Sequence, residues 1–84
     1  MNDVKERIRQ FLAESLPGEK LSELHDDTPL RTSGRMDSMA LLRLVSFIEE
    51  SFGIEVQAYE ASVENFDRIE DIEAYVQRKR AARA

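Results

Sequence analysis

The chain has 84 residues, which is enough for one domain and too few to enclose a deep catalytic cleft. It contains no cysteine, so disulfides, zinc–thiolate sites and thiol nucleophiles are excluded, and packing alone must stabilise the fold. The formal net charge is −5. Residues 39–66 carry −4, because Arg43 is the single basic residue there against five glutamates. Such a segment disfavours nucleic acid as a partner and favours basic protein surfaces.

Residues 3–16 are predicted to form the first helix. Asp3 and Glu6 have the spacing of a capping box, and Pro17-Gly18 ends the helix. The N-terminus lacks the apolar run of a signal peptide, and no segment approaches the roughly 20 apolar residues of a membrane span, so we expect a cytoplasmic protein without membrane contact. One apolar face of this helix is formed by Val4, Ile8, Phe11 and Leu12.

Residues 17–37 form a long connection that is rich in proline, glycine, aspartate and serine. A structureless loop of this length is uncommon in a small domain unless it has a function. We expect Leu21, Leu24 and Leu30 to pin this connection onto the core. The sequence therefore predicts an ordered loop that positions the residues at its end.

Residues 38–52 are predicted to form the second helix, which ends at Gly53. Asp37 and Ser38 lie where the loop meets this helix, and both residue types satisfy the free N–H groups of a first helical turn. The predicted inward face consists of Leu41, Leu44, Val45, Ile48 and Phe52. The opposite face is a stripe of Met39, Arg43, Ser46 and Glu50.

The remaining third of the chain contains two further helical segments. Residues 54–58 alternate like a strand, but with no partner strand they are predicted to be an extended loop. Residues 59–64 are predicted to form a short third helix. Asp67 and Glu70 repeat the capping-box spacing and are expected to open a last helix of about residues 67–81. Its inward side chains are Ile69, Ile72, Tyr75 and Val76.

The predicted fold class is all-α. We expect a four-helix bundle with three longer helices, one short third helix, and a long ordered loop between helices 1 and 2. The single domain spans residues 1–84. Its core covers about residues 3–78, and residues 79–84 form a basic tail that frays.

Four stretches of the chain form a recognisable pattern together with the predicted order of helices. They are Asp27-Thr28-Pro29-Leu30, Gly34-Arg35-Met36-Asp37-Ser38-Met39, Phe52-Gly53-Ile54-Glu55-Val56 and Glu64-Asn65-Phe66. With these stretches, the chain from Val4 to Val76 resembles the acyl carrier protein family, and most of all its discrete, stand-alone members. In that family a serine that follows such an aspartate carries 4′-phosphopantetheine, which a phosphopantetheinyl transferase installs from coenzyme A.

The resemblance implies that Ser38 is the attachment site and that Asp37 belongs to the recognition motif of the transferase. The arm ends in a thiol that holds an acyl or aminoacyl group as a thioester. The protein would then be a monomeric, phosphate-bearing carrier without catalytic residues or a metal site. Its partners would be the transferase, a ligase or transferase that loads the cargo, and a downstream synthase or transferase.

The second helix is the main recognition surface of the family. Here that surface is expected to be Met39, Ala40, Leu42, Arg43, Ser46, Glu49 and Glu50. Fatty-acid carriers usually place acidic residues shortly after the serine, whereas this chain has Ala40 and Arg43 there. Partners that need negative charge beside the serine are therefore expected to bind poorly. This departure favours a specialised polyketide, nonribosomal or aminoacyl-transfer pathway.

Three other interpretations of the sequence remain open at this point. The first is an unmodified helical interaction domain, in which Ser38 is only a helix cap. The second is a small DNA-binding domain, which the negative charge of residues 39–66 disfavours. The third is a hydrolase that uses His25 with Ser38, which is disfavoured because no Gly-x-Ser-x-Gly elbow is present.

Overall fold

The computed structural model describes residues 3–16 and 18–83, apart from the side chains of residues 3 and 83. These residues form helices and short 3-10 turns, with no strand among them. The predicted all-α fold is confirmed. α1 packs against both α2 and α4, and α3 packs against α4. The helices are α1 (Asp3–Ser15), α2 (Ser38–Phe52), α3 (Val63–Phe66) and α4 (Ile69–Arg83).

One apolar core joins the four helices. The inward residues predicted for α4 are all buried, and so are three of the four predicted for α1; Phe11 is the half-buried exception. The rings of Phe66 and Tyr75 lie 5.3 Å apart and bring α3 onto α4. Of the described helices, none has the length and apolar character that crossing a membrane requires. The buried helical residues include Val4, Ile8, Leu12, Leu44, Ile48, Phe66, Ile69, Ile72, Tyr75 and Val76.

The buried face of α2 differs from the predicted one. Its centre is the stripe of Ala40, Leu44 and Ile48, which are spaced by four residues and therefore lie above one another on one face. The other predicted inward residues, Leu41, Val45 and Phe52, are half-buried and pack against the edge of the core. Ala40, expected on the partner surface, is only 9% exposed, so that expectation is wrong.

The loop between α1 and α2 is held in place by buried side chains. Leu24 and Leu30 are buried as predicted, and Met36 is a third anchor that the sequence analysis missed. Leu21 is 51% exposed, so its predicted packing is wrong. It opens a 3-10 turn, Leu21–Glu23, none of whose residues is buried. Pro17, predicted to end the first helix, lies outside the described residues, as does the side chain of Asp3.

The first half of this loop is tied to α1 by charge. Asp26 accepts a hydrogen bond from Lys5 at 2.9 Å and a second one from Arg9. Arg9 also donates to the carbonyl of Leu24 at 3.1 Å. The hydrogen bond from Lys5 lowers the pKa of Asp26 and raises that of Lys5. These contacts orient residues 24–26 against the first helix.

The second half of the loop is tied to the junction of α3 and α4 by Asp67. Its carboxylate accepts the backbone N–H groups of Arg31 at 2.8 Å and Thr32 at 3.0 Å, and the hydroxyl of Thr32 at 3.0 Å. The N–H of Leu30 lies 3.2 Å from the same carboxylate and 2.7 Å from the backbone carbonyl of Asp67. We call this arrangement the Asp67 clamp.

The clamp overturns the predicted capping box of Asp67 and Glu70. Asp67 is the C-cap of α3, and α4 begins two residues later, at Ile69. The N–H of Glu70 donates instead to the carbonyl of Asp26 at 3.1 Å. The spacing fits a capping box, but the folded loop brings donors from residues 30–32 to the same carboxylate, and these occupy it.

Two other boundaries in the second half of the chain differ from those expected. The short helix α3 begins at Val63, later than the predicted 59–64, because Gln57 and Glu60 bond reciprocally and close a separate 3-10 turn, Ala58–Glu60. Helix α4 continues to Arg83, into the tail expected to fray. Of the predicted extended loop 54–58, residues 54–57 are irregular as predicted, whereas Ala58 opens the 3-10 turn.

Burial raises the pKa of Asp67, but the N–H and O–H donors from residues 30–32 lower it by more, so the pKa lies below its ordinary value of 3.8. A carboxyl whose pKa is lower in the folded state stabilises the fold above its ordinary pKa. That contribution is lost as the pH falls through the folded-state value.

We predict that Leu44→Ala lowers the free energy of unfolding by about 2–5 kcal/mol, because Leu44 is 0% exposed and its truncation leaves a cavity. The matched control is Leu42→Ala on the same helix. Leu42 is 61% exposed, and its truncation should change the free energy by less than about 0.5 kcal/mol. Urea denaturation followed by circular dichroism measures both. An equal loss of unfolding free energy in the two variants would contradict the burial of Leu44 and the exposure of Leu42.

We also predict that Asp67→Asn is less stable than the wild type at neutral pH and that this difference shrinks as the pH falls to about 3. The amide keeps an oxygen acceptor but cannot lose or gain a proton in this range. Asp26 and Glu60, whose pKa values are also lowered, are present in both chains and cancel in the difference. Urea denaturation over this pH range measures it, with Glu55→Gln as an exposed control. A pH-independent difference would contradict the prediction.

Candidate functional site

Helix α2 begins at Ser38 because Asp37 caps it. The backbone of Asp37 is extended, and its carboxylate accepts the N–H of Ala40 at 2.8 Å. The carbonyl of Asp37 accepts the N–H of Leu41 at 2.9 Å and starts the hydrogen bonding of the helix. One residue therefore supplies both the side-chain cap and the first helical carbonyl.

Ser38 is the first residue of the helix and is exposed. Among the described residues, its hydroxyl takes part in no hydrogen bond. The N-terminus of a long helix carries a partial positive charge and N–H groups that the helix itself does not bond. The hydroxyl of Ser38 thus lies at an electropositive helix end, accessible to solvent and not engaged in capping. The interpretation of Ser38 as the helix cap is wrong, because Asp37 has that role.

The segment before the cap is a folded turn. Gly34 has a φ of +84°, in the left-handed region, and its N–H donates to the carbonyl of Arg31 at 3.1 Å. The N–H of Met36 donates to the carbonyl of Leu30 at 2.9 Å, and the guanidinium of Arg31 lies 3.4 Å from the carbonyl of Met36. Because Met36 is also buried, the residue before Asp37 is fixed through both its backbone and its side chain.

The outward surface of α2 next to Ser38 is partly apolar. Met39 is 60% exposed and Leu42 is 61% exposed. Five of the seven predicted surface residues are exposed, namely Met39, Leu42, Arg43, Ser46 and Glu50. We call these five the outer face of α2.

The two other predicted surface residues are not exposed. Ala40 points into the core. Glu49 is half-buried, and its carboxylate accepts the N–H of Val56 at 2.9 Å. Glu49 therefore has a structural contact that sequence periodicity does not reveal.

An open groove of about 470 Å³ lies along the outer face of α2 and is bordered on its other side by residues of α1. Phe11 of α1 stacks on Phe47 of α2 with ring centroids 4.3 Å apart, which forms the apolar floor between the helices. The contribution of α1 could not be predicted from the sequence, since the packing of two helices is not contained in the periodicity of either. The lining residues are Phe11, Ser15, Met39, Leu42, Arg43, Ser46, Phe47 and Glu50.

Two other kinds of site were considered from the sequence, a metal site and a hydrolase site that uses His25. The described residues contain no cluster of three or more histidine, aspartate or glutamate side chains that would hold a metal ion. His25 is exposed in the loop, where its backbone N–H donates to the hydroxyl of Thr28 at 2.9 Å.

We predict that Asp37→Ala costs about 1 kcal/mol of stability, because the N–H of Ala40 loses its acceptor. Ser38→Ala should change the free energy of unfolding by less than about 0.5 kcal/mol, since its hydroxyl caps nothing. Chemical denaturation of the unmodified protein distinguishes the two. Ser46→Ala, an exposed serine in the middle of the same helix, is the control. A Ser38→Ala loss equal to that of Asp37→Ala would show that the hydroxyl shares in capping.

Comparison with known proteins agrees with this geometry. The family model described as "Phosphopantetheine attachment site" matches residues 6–76, which is most of the chain. A search of curated proteins returns no similar sequence. The chain therefore belongs to the phosphopantetheine-attachment family, whose members are non-catalytic carriers with a covalently attached 4′-phosphopantetheine.

Proposed function

We propose that Ser38 is the residue to which the phosphopantetheine arm is attached, and that the arm carries an acyl or aminoacyl cargo between partner enzymes. The observation that supports this is the position of Ser38. Its hydroxyl is exposed, makes no hydrogen bond among the described residues, and lies at the N-terminus of a helix of 15 residues.

The residues around Ser38 suit a phosphate ester. A helix N-terminus favours an anion through its dipole and its free N–H groups. The carboxylate of Asp37 is occupied by the N–H of Ala40, which leaves the N–H groups of Ser38 and Met39 available near the ester. The arm supplies a thiol, which forms the thioester, and the chain itself has no cysteine. Attachment therefore requires no change in the helix.

Ser33, an exposed serine in the loop before α2, is less suitable for attachment. The hydroxyl of Ser33 donates to the carbonyl of Pro29 at 2.7 Å and lies 3.4 Å from the carbonyl of Leu30. It helps to hold the turn before Met36, so modification there would break a loop contact. Ser33 is thus a matched control for Ser38.

The outer face of α2 is proposed as the surface that partner enzymes contact, with Asp37 as part of the recognition motif of the transferase. Met39 and Leu42 supply apolar area beside the serine, and Arg43 and Glu50 supply one charge of each sign. Ala40 is excluded because it is buried. A surface with Arg43 near the serine does not match partners that select continuous negative charge, which supports a specialised polyketide, nonribosomal or aminoacyl-transfer pathway.

A carrier of this kind requires enzymes that modify, load and unload it. A phosphopantetheinyl transferase modifies the protein, a ligase or transferase loads the thiol, and a downstream synthase or transferase removes the cargo. We propose that the carrier acts as a monomer in the cytoplasm, where coenzyme A is available to the transferase.

Incubation with coenzyme A and a broad-specificity phosphopantetheinyl transferase tests the attachment site. The expected result is a mass increase of one phosphopantetheine in the wild type and in Ser33→Ala, and none in Ser38→Ala. Intact-mass spectrometry measures the increase, and peptide mapping locates it. Circular dichroism confirms that Ser38→Ala is folded.

Modification of Ser38→Ala would refute the assignment. If several transferases leave the folded wild type unmodified, the alternative gains support, namely an unmodified helical domain that binds partners through the outer face of α2.

A further inference from the structure

The Asp67 clamp lies far along the chain from Ser38 but is connected to it by a short series of contacts. The carboxylate holds the N–H groups of three consecutive loop residues, 30–32, and the hydroxyl of Thr32. Asp67 is itself buried, and it lies at the junction of α3 and α4, where both helices restrain its backbone. The clamp is therefore a fixed point against which the loop is held.

From the clamp, two hydrogen bonds lead to the start of α2. The carbonyl of Leu30 accepts the N–H of Met36 at 2.9 Å, and the guanidinium of Arg31 donates to the carbonyl of Met36 at 3.4 Å. Met36 directly precedes Asp37, the cap of α2, and Ser38 follows the cap. Two of the three residues held by Asp67, Leu30 and Arg31, thus hydrogen-bond directly to Met36, which lies two residues before Ser38.

We infer that Asp67 is a positioning residue for the modification of Ser38: it holds the segment of residues 30–36 in the conformation that a phosphopantetheinyl transferase binds. This inference rests on the proposed function of Ser38. Asp67 touches neither Ser38 nor, in this proposal, the transferase.

The second loop carboxylate provides a comparison. Asp26 is also bonded across the fold, to Lys5 and Arg9 of α1, but its partners do not include residues 30–36. Loss of Asp26 removes a tertiary contact of the loop and leaves the clamp in place. Asp26→Asn therefore separates a general loss of loop contacts from a specific loss of positioning.

The first experiment measures kcat and KM of the transferase for the unmodified 84-residue chain and its Asp67→Ala, Asp67→Asn and Asp26→Asn variants, each at a temperature where it is folded. If the bound conformation falls to about a tenth of the population in Asp67→Ala, the KM for the carrier rises about tenfold while kcat is kept. Asp67→Asn retains an acceptor for the N–H groups, so its KM should lie nearer to the wild-type value. Asp26→Asn should stay within about twofold of the wild type.

A folded Asp67→Ala with the wild-type KM overturns the inference. An equal rise in KM for Asp26→Asn also overturns it, because the effect would then be general. Should Asp67→Ala fail to fold, Thr32→Val takes its place. It removes only the hydroxyl contact with the carboxylate and is expected to raise KM by a smaller factor, whereas an unchanged KM opposes the inference.

The second experiment uses the wild-type chain alone and needs no transferase. If the clamp and Met36 open together, the amides of Thr32 and Met36 exchange with solvent deuterium through one opening, with protection factors within about tenfold of each other. A larger difference, with Met36 less protected, overturns the inference, because restraint by Asp67 would not reach the cap. A wild type that takes no phosphopantetheine contradicts the proposed function instead, and the exchange result then still decides whether the clamp reaches Met36.

Discussion

The fold depends on one carboxylate, that of Asp67, which accepts backbone N–H groups from the long loop between α1 and α2. A connection that packs on a core without regular structure leaves N–H groups near apolar side chains, and each must find an acceptor. Asp67 accepts three successive N–H groups and one hydroxyl, and these contacts outweigh the penalty of burying its charge, as the direction of its pKa shows. Leaving such donors without a partner costs about 1–3 kcal/mol each. The loop, α3 and α4 are consequently one unit rather than three neighbouring parts.

The start of α2 places the helix cap and the proposed attachment site on two different residues. Asp37 caps the helix, so the hydroxyl of Ser38 is not needed for stability. The hydroxyl of Ser38 thus lies at the electropositive end of a helix, and its proposed modification would leave the helix cap in place. The buried side chain of Met36 fixes the approach to the cap from the loop side. Asp37 therefore caps the helix, and the adjacent Ser38 is left available for the proposed attachment.

The sequence predicts α2 well and the loop anchors only in part. Asp37 and Gly53 are strong boundary signals, and α2 runs from Ser38 to Phe52 as predicted, with Gly53 in the left-handed conformation at its end. Asp67 shows where such signals fail. Its spacing to Glu70 matches a capping box, but the donors that occupy it come from residues 30–32, more than thirty positions away. No local pattern contains that contact.

Ala40 shows a different kind of error. The family resemblance placed it on the recognition surface that follows Ser38, yet it lies four residues before Leu44 and eight before Ile48, on the stripe that the structure buries. The four-residue spacing of Ala40, Leu44 and Ile48 is visible in the sequence. The predicted inward face was instead centred nearer to Leu41 and Val45, because their side chains are larger and more apolar. The lining of the groove by Phe11 had no comparable signal, because it depends on how α1 packs against α2.

The surface beside Ser38 places the exposed apolar side chains of Met39 and Leu42 next to an electropositive helix end. A single exposed apolar residue needs no explanation, but Met39 and Leu42 lie one turn apart and continue into the groove between α1 and α2. Arg43 and Glu50 border this apolar strip with opposite charges. A partner that buries the strip must match both charges, which gives specificity, while the apolar area supplies affinity. Because the lining of the groove includes Phe11 of α1 as well as Phe47 of α2, the shape of this proposed partner surface depends on the packing of two helices and not on α2 alone.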